Sequence, residues 1–349
     1  MSYPLDLLMI PIQLIVAWFT IYYTVIALFG MWHKKEKKIA EPKSKFALMV
    51  PAHNEEMVLG DLLDNLNLLK YPKELYDVYV IADNCTDKTA DVAKKHGAYV
   101  LERFNKEHAG KGYAMDWAFP KIFETGKKYD AFCVFDADNL VHLDFLSVMN
   151  TRLLKGQKVL QGYLSAKNPV DTWVSGTFAI AFWTVNHLWH LGKYNIGLSS
   201  CLGGTGMCIS SDIVKEFGWG CDCLTEDMEF SMKCLSRGIR TCWVHDAIIY
   251  DEKPLSFMAS WRQRKRWAQG QFDCLGTIQY ILPLVVLLQI EVPIKIYLYW
   301  LIYPIFMYSW VPVTFLGWLH RHDKEWVHTV HTRSMQFEDA SLTRKKEIE

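Results

Sequence analysis

Between Lys45 and about Tyr250, short apolar runs alternate with longer polar stretches of helical periodicity. The runs are FALMV (46–50), VYVIA (78–82), YVL (99–101) and FCVF (132–135). The stretches between them include Glu55–Leu69, Asp87–His96 and Gly112–Glu124. Strand-length runs separated by such helices predict βαβ units, and so an α/β domain with a mainly parallel sheet flanked by helices. Ligands of such sheets bind beyond the carboxyl ends of the strands. Those ends are polar here: PAHNEE follows the first run, DNCTDKTAD the second and DADN the fourth. Glu55, Asp83 and the Asp136/Asp138 pair are therefore expected on one edge. Each alone could be an ordinary helix cap or turn; three together are harder to explain that way.

Three further segments carry no Lys, Arg, Asp or Glu. Leu7–Trp32 exceeds the roughly 20 apolar residues that a helix needs to span a bilayer. The lysine-rich HKKEKKIAEPKSK after it places that flank in the cytoplasm. A signal peptide fits less well, because MSYPLD offers no positive n-region and no small-residue cleavage site follows. Ile296–His320 predicts a span, and Cys274–Ile290, at the short limit, reads as another span turning at Pro293 or as an interfacial or re-entrant helix; the basic tail (Arg321, Lys324, Arg333, Arg344, Lys345, Lys346) suits a return to the cytoplasm. The expected organisation is a transmembrane helix in 1–33, a cytoplasmic domain over 34–252, an interfacial helix in 253–273, a transmembrane hairpin in 274–320 and a cytoplasmic tail in 321–349. Thr172–Gly192 is also uncharged, but Asn186, His187 and His190 interrupt it. It reads as an amphipathic helix on the domain or at the lipid interface.

With 349 residues the chain can hold one large domain plus these segments. Lys+Arg and Asp+Glu both number 38, which gives no support to a nucleic-acid partner. The nine cysteines are scattered through apolar stretches, which suits reduced thiols in a cytosolic compartment. Cys201, Cys208, Cys221 and Cys223 lack the paired C-x₂-C knuckles of a zinc site.

Asp136 and Asp138 would share a face if strand geometry continued through them. Their mutual repulsion is relieved by a divalent cation, and hard carboxylate oxygens suit Mg²⁺ or Mn²⁺, which commonly also take substrate phosphates. Downstream, Glu226 and Asp227 in LTEDMEF open a predicted helix, where dipole capping is the plainer reading. In WRQRKRWAQG, Gln263, Arg266, Trp267 and Gly270 share one helical face. A charged membrane-surface helix would also account for that segment. The glycines of SCLGGTGMCIS (200–210) could cradle phosphate, but the Lys-Ser/Thr ending of a P-loop is missing.

PAHNEE, DNCTDKT, GKGYAMDWA, DAD, TED and QRKRW stand in the order seen in membrane-bound family 2 glycosyltransferases, and the chain resembles that family over roughly residues 45–270. The cellulose and poly-N-acetylglucosamine synthase branches are most similar. The resemblance implies a GT-A fold and an inverting transfer from a nucleotide sugar, a UDP-sugar above all. It implies that Glu55 and Asp83 contact uracil and ribose, that Lys111 lies near the nucleotide and that Asp136 faces the donor. Asp138 would ligate Mn²⁺ or Mg²⁺ on the diphosphate, and Asp227, beside Glu226, would be the catalytic base. Gln263, Arg266 and Trp267 would close over pyrophosphate and acceptor, with the loop at Gly204 and Thr205 lining the acceptor site. The chemistry agrees: such a transfer needs a stabilised leaving diphosphate and an acceptor hydroxyl deprotonated as it attacks. His245 could be an additional metal ligand or a packed core histidine.

Two features depart from the pattern. Asn84 stands where many relatives have a second aspartate, leaving Asp83 to hold the ribose. Three spans are also little material for a polymer channel. The acceptor is then a carbohydrate or lipid-linked molecule at the membrane, the product is short, or the chain forms a homo-oligomer. A non-catalytic membrane scaffold with the same fold is the alternative, although it would be expected to have lost DAD, TED and QRKRW. A transporter would need more spans, and a nucleotidyltransferase would leave QRKRW unexplained.

Overall fold

The computed structural model describes residues 18–33, 35, 39–221, 225–267, 293–310, 312, 313 and 316. A helix α1 over 18–30 comes first. The domain follows as β1 (Phe46–Ala52), α2 (Leu59–Asn67), β2 (Tyr76–Asp83), α3 (Thr89–Lys95), β3 (Tyr99–Arg103), α4 (Lys111–Glu124), β4 (Ala131–Val134) and β5 (Leu140–Val141). Next come α5 (Phe145–Leu154), β6 (Val159–Ala166), α6 (Trp173–Thr184) with a π-helical continuation Val185–Leu191, and α7 (Gly192–Asn195). The described chain ends with β7 (Met207–Ser210), α8 (Ser211–Phe217), α9 (Glu226–Leu235), β8 (Thr241–Asp251), α10 (Phe257–Trp267) and α11 (Ile294–Tyr308).

The four runs predicted as strands are β1 to β4, and they pair in parallel in the order β3-β2-β1-β4. The sheet then continues β7-β6-β8-β5, with β7 and β5 antiparallel to their neighbours, so it is mixed. β1 shows why its sequence is apolar at every position: Phe46, Leu48 and Val50 face one core layer, while Ala47 and Met49 face the other. A strand covered on both faces has no polar side to alternate with.

The helix expected from Thr172–Gly192 exists but is not amphipathic. Val174 to Ile180 are buried without interruption, because α6 lies between β6 and α11. α1 docks on the same unit through two close backbone approaches. A Cβ on Gly30 would lie 2.2 Å from the His187 carbonyl oxygen, and one on Gly192 would lie 2.2 Å from that of Ile26. Asn195 Nδ2 donates to the carbonyls of Phe29 and Trp32, both at 2.8 Å, which satisfies orphan groups at the end of α1. Among the described residues no helix is long and apolar enough to cross a membrane. Of the expected spans, residues 1–17, 274–292, 311, 314, 315 and 317–320 lie outside the described residues, as do residues 268–273 and the tail 321–349.

Candidate active site

The expected edge forms at the carboxyl ends of β1, β2 and β4. Around β1 and β2 the two polar loops are stitched together. Thr86 N–H donates to Asn54 Oδ1 at 2.8 Å, Glu55 N–H to Thr89 Oγ1 at 2.8 Å and Glu56 N–H to Asp87 Oδ2 at 3.1 Å. Asn54 and Asn84 both take positive φ, 56° and 52°, a conformation that asparagine tolerates better than most residues. Glu55 and Asp83 are both buried here. The Asp83 carboxylate is held by Arg103 Nη1 at 2.5 Å, and its other oxygen accepts from Gly110 N–H at 3.4 Å. Asn84 does not replace a second acid; it ties Asp83 to the next loop through Asn105.

Lys111, next to Gly110, joins this corner to the rest. Its ammonium contacts Asp136 Oδ1 and donates to the Gly204 carbonyl at 2.7 Å. A Cβ on Gly204 would lie 3.5 Å from Asp227 Oδ2 and 3.9 Å from Lys111 Nζ, both ordinary contacts, so it is the φ of +78° that calls for glycine beside these charges. Burial alone would depress the Lys111 pKa, but Asp136, Glu226 and Asp227 together hold it above the ordinary lysine value. Burial, then Asp227, pushes the Glu226 carboxyl up to about 7 against the pull of Lys111. Asp227 is raised as well, again by burial first, although Met228 N–H donates to it at 2.8 Å. Four segments distant in sequence thus bring Lys111, Asp136, Gly204 and the Glu226/Asp227 pair to one place.

The Asp136/Asp138 geometry differs from the expectation. β4 stops at Val134, and Asn139 N–H donates back to the Asp136 carbonyl at 3.1 Å, so the two acids sit in a turn rather than a strand. Asn139 Oδ1 and Thr205 Oγ1 each take the Asp136 N–H at 3.1 Å, which ends the ladder. As a result the two carboxylates differ: Asp136 is 42% exposed beside Lys111, while Asp138 is buried at the end of β8. Both still face one neighbour. The Asp251 carboxyl is pushed up to about 6 by burial, with Asp138 and Asp136 adding to the shift.

The model of glycosyltransferase-like family 2 matches residues 42–270. This chain belongs to that family. Curated relatives include a probable glycosyltransferase, YdaM, of Bacillus subtilis, 26% identical over 248 residues, which are 68% of this chain and 57% of the relative. A beta-monoglucosyldiacylglycerol synthase of Nostoc is 28% identical over 252 residues, 68% of this chain and 51% of that one. The poly-beta-1,6-N-acetyl-D-glucosamine synthase of Staphylococcus aureus is 22% identical over 285 residues, 77% and 65%. The match thus takes in about half to two thirds of each relative's length. Among solved structures, the mannosyltransferase PcManGT from Pyrobaculum calidifontis, in complex with GDP-Man and Mn²⁺, has the same fold at a TM-score of 0.54 and 17% identity, covering 96% of this chain and 90% of that one.

In this glycosyltransferase the structure gathers Asp83, Lys111, Asp136, Gly204, Thr205, Glu226 and Asp227, with Asp138 and Glu55 behind them. Gln263 lies on α10, where its Oε1 is buried without a hydrogen-bond partner among the described residues. The backbones of Arg266 and Trp267 are on α10, but their side chains lie outside the described residues. The described arginine of QRKRW is Arg264, which the sequence did not single out. It is fully buried, donates to the Phe306 carbonyl at 3.0 Å and lies 4.2 Å over the Phe306 ring, so it pins α10 to α11. His245 is a packing residue: it accepts from Trp243 Nε1 at 3.2 Å and lies against His33 and His187 at 4.2 and 4.6 Å. Gln161 was also missed. It holds the glycine loop by accepting from Gly203 N–H at 2.8 Å and donating to the Thr205 carbonyl at 2.9 Å.

The donor set suits a hard divalent cation. Asp136 already attracts the Lys111 cation, and Asp138 adds a second carboxylate from the same turn. Among the described residues no three metal-ligating side chains form a cage. Mg²⁺ commonly takes one or two carboxylates together with substrate phosphate oxygens.

Proposed function

We propose that this glycosyltransferase transfers a sugar, with inversion, from a UDP-sugar to a carbohydrate or lipid-linked acceptor at the cytoplasmic face of a membrane. The observation that carries this reading is the gathering of Asp136, Gly204 and the Glu226/Asp227 pair around the Lys111 ammonium. In the proposed step the acceptor hydroxyl oxygen bonds to the anomeric carbon and its proton passes to Asp227. The anomeric C–O bond to phosphate breaks, and its electron pair stays on the diphosphate. Asp227 suits the role of base because burial raises its pKa, which brings proton affinity nearer to the working pH. Lys111 is placed to stabilise the departing diphosphate. Asp138, with Asp136 alongside, would hold Mn²⁺ or Mg²⁺, which would supply Lewis-acid stabilisation of the same charge. Glu55 and Asp83 occupy the corner suited to the nucleoside, with Arg103 fixing Asp83. Gln263, Arg266 and Trp267 of α10 are assigned to closure over pyrophosphate and acceptor.

Membrane attachment is supported by α1, on which Trp18, Phe19, Ile21, Tyr22, Val25, Leu28 and Phe29 are exposed around one buried edge of Ile26, Ala27 and Gly30. A helix apolar on nearly every side needs an apolar surrounding, and the lysines after Trp32 suit a cytoplasmic flank. The proposed arrangement keeps spans in 1–33 and 274–320 and the catalytic domain between them. The similarity to a glycolipid synthase and to a polysaccharide synthase agrees with a lipid-linked or a carbohydrate acceptor. The test is a screen of nucleotide sugars against membranes holding the protein, read by nucleotide release and product mass. Product from a UDP-sugar with Mn²⁺, lost on Asp138→Asn, is the expected result. No transfer from any donor would support the scaffold instead.

A further inference from the structure

Beneath Asp138 lies a buried group of charges that the reaction as described does not use. Lys167, at the end of β6, and Glu252, at the end of β8, form an ion pair of 3.2 Å with side chains only 3% and 7% exposed. Both members also hold Asp138. Lys167 Nζ donates to the Asp138 carbonyl at 2.9 Å, and the Glu252 N–H donates to its Oδ2 at 3.3 Å. The surrounding backbone is fixed as well. Lys167 N–H donates to the Asp251 carbonyl at 2.9 Å, and Asn168 exchanges hydrogen bonds with both the carbonyl and the N–H of Lys253, at 2.9 and 2.8 Å. A second pair, Lys253 with Asp251 at 2.7 Å, closes the group, and the Lys253 ammonium lies 3.3 Å over the Phe182 ring.

Buried ion pairs lose much of their attraction to desolvation, so they are poor devices for stability alone. Here the Glu252 carboxylate fixes the Lys167 ammonium that holds the Asp138 carbonyl, while the Glu252 backbone N–H holds the Asp138 carboxylate. Partners that orient a ligating carboxylate influence metal affinity strongly.

We propose that the Lys167–Glu252 pair is a positioning clamp for Asp138, so that these two residues set how tightly the site takes a divalent cation together with a nucleoside diphosphate. The proposal rests on Asp138 as the metal ligand. Lys167 and Glu252 are positioning residues: breaking their pair weakens cation binding but leaves the chemical step nearly intact.

The experiment is a Mn²⁺ titration of the full chain with UDP, reading free Mn²⁺ by its electron paramagnetic resonance signal, alongside the Mn²⁺ dependence of turnover. Glu252→Gln and Lys167→Met are expected to weaken Mn²⁺ binding about 10- to 100-fold, with turnover at saturating Mn²⁺ within about twofold of wild type. Lys167→Arg, which keeps the charge, is expected to recover most of the affinity. In an Asp138→Asn background, Glu252→Gln is expected to have no further effect, since it acts only through Asp138. Should Lys167→Met fail to fold, Glu252→Gln and Lys167→Arg carry the test. Wild-type Mn²⁺ affinity in folded Glu252→Gln, or an additive loss with Asp138→Asn, overturns the clamp. Undiminished Mn²⁺–UDP binding in Asp138→Asn alone overturns the metal assignment itself, which is a separate failure.

Discussion

Lys111 sets the charge balance of the site, and its neighbours make that measurable. The Glu226 carboxyl sits at about 7 against an ordinary 4.5, raised by burial and then by Asp227. Between those values the folded protein holds a proton that the unfolded chain has released. Protonation there favours the fold, so this contribution to stability falls as pH rises from 4.5 towards 7 and is gone above it. Glu226→Gln is expected to flatten the dependence of melting temperature on pH over that window. The acids also titrate as a coupled group, so turnover is expected to rise with pH on a limb near 7. Lys111→Met removes the charge that holds the carboxyls down and is expected to move that limb upward, as a pH–rate profile will show. Asp227→Asn is expected to lower turnover by about 10²- to 10⁴-fold while UDP–Mn²⁺ binding persists. At this scale the acids were legible, because Glu55, Asp83, Asp136 and Asp138 follow apolar runs that announce strand ends and Glu226 and Asp227 open a helix. Arg103 was less so. It becomes visible only once β2 and β3 are aligned in parallel, which sets Asp83 directly against Arg103. Lys167 and Glu252 gave no local signal, since their pairing depends on β6 and β8, whose register no run of residues specified.

Among the elements, the first half of the sheet was readable and the second half was not. β1 and β4 are continuous apolar runs because both faces are covered, and β2 and the edge strand β3 each carry a short one. β6 and β8 mix apolar residues with Gln161, Gly162, His245 and Asp246, and their pairing skips register between Gly162 and Tyr163. Periodicity cannot be seen through such an irregularity. The DAD turn misled for a related reason: the contacts that end β4 come from Asn139 and from Thr205, one of them far along the chain. The glycine loop shows the same dependence on distant packing. Gly206 has φ +62°, and a Cβ there would fall 2.0 Å from Ile249 Cδ1. Ile249 is fully buried and has no room to yield. Gly206→Ala is therefore expected to destabilise the domain by about 1–3 kcal/mol, read as a lower melting temperature, and to disturb Thr205 beside Asp136.

At the scale of the whole molecule, α10 follows β8, whose end meets Asp138, and packs on α11. Arg264 holds α10 on α11, while α1 closes against the π-helical segment through Gly30 and Gly192. Substituting Gly30 with Leu drives a side chain into the His187 carbonyl and is expected to separate α1 from the domain, exposing 18–30 to limited proteolysis. The measurement that tests the central claim most directly is nucleotide release under single-turnover conditions, with a UDP-sugar and the membrane-held protein, comparing wild type with Asp227→Asn and Lys111→Met. A site that joins these residues around one donor predicts metal-dependent release in the wild type, with chemistry lost but UDP–Mn²⁺ binding kept in Asp227→Asn, and donor binding weakened in Lys111→Met. Near wild-type release from both variants would contradict it.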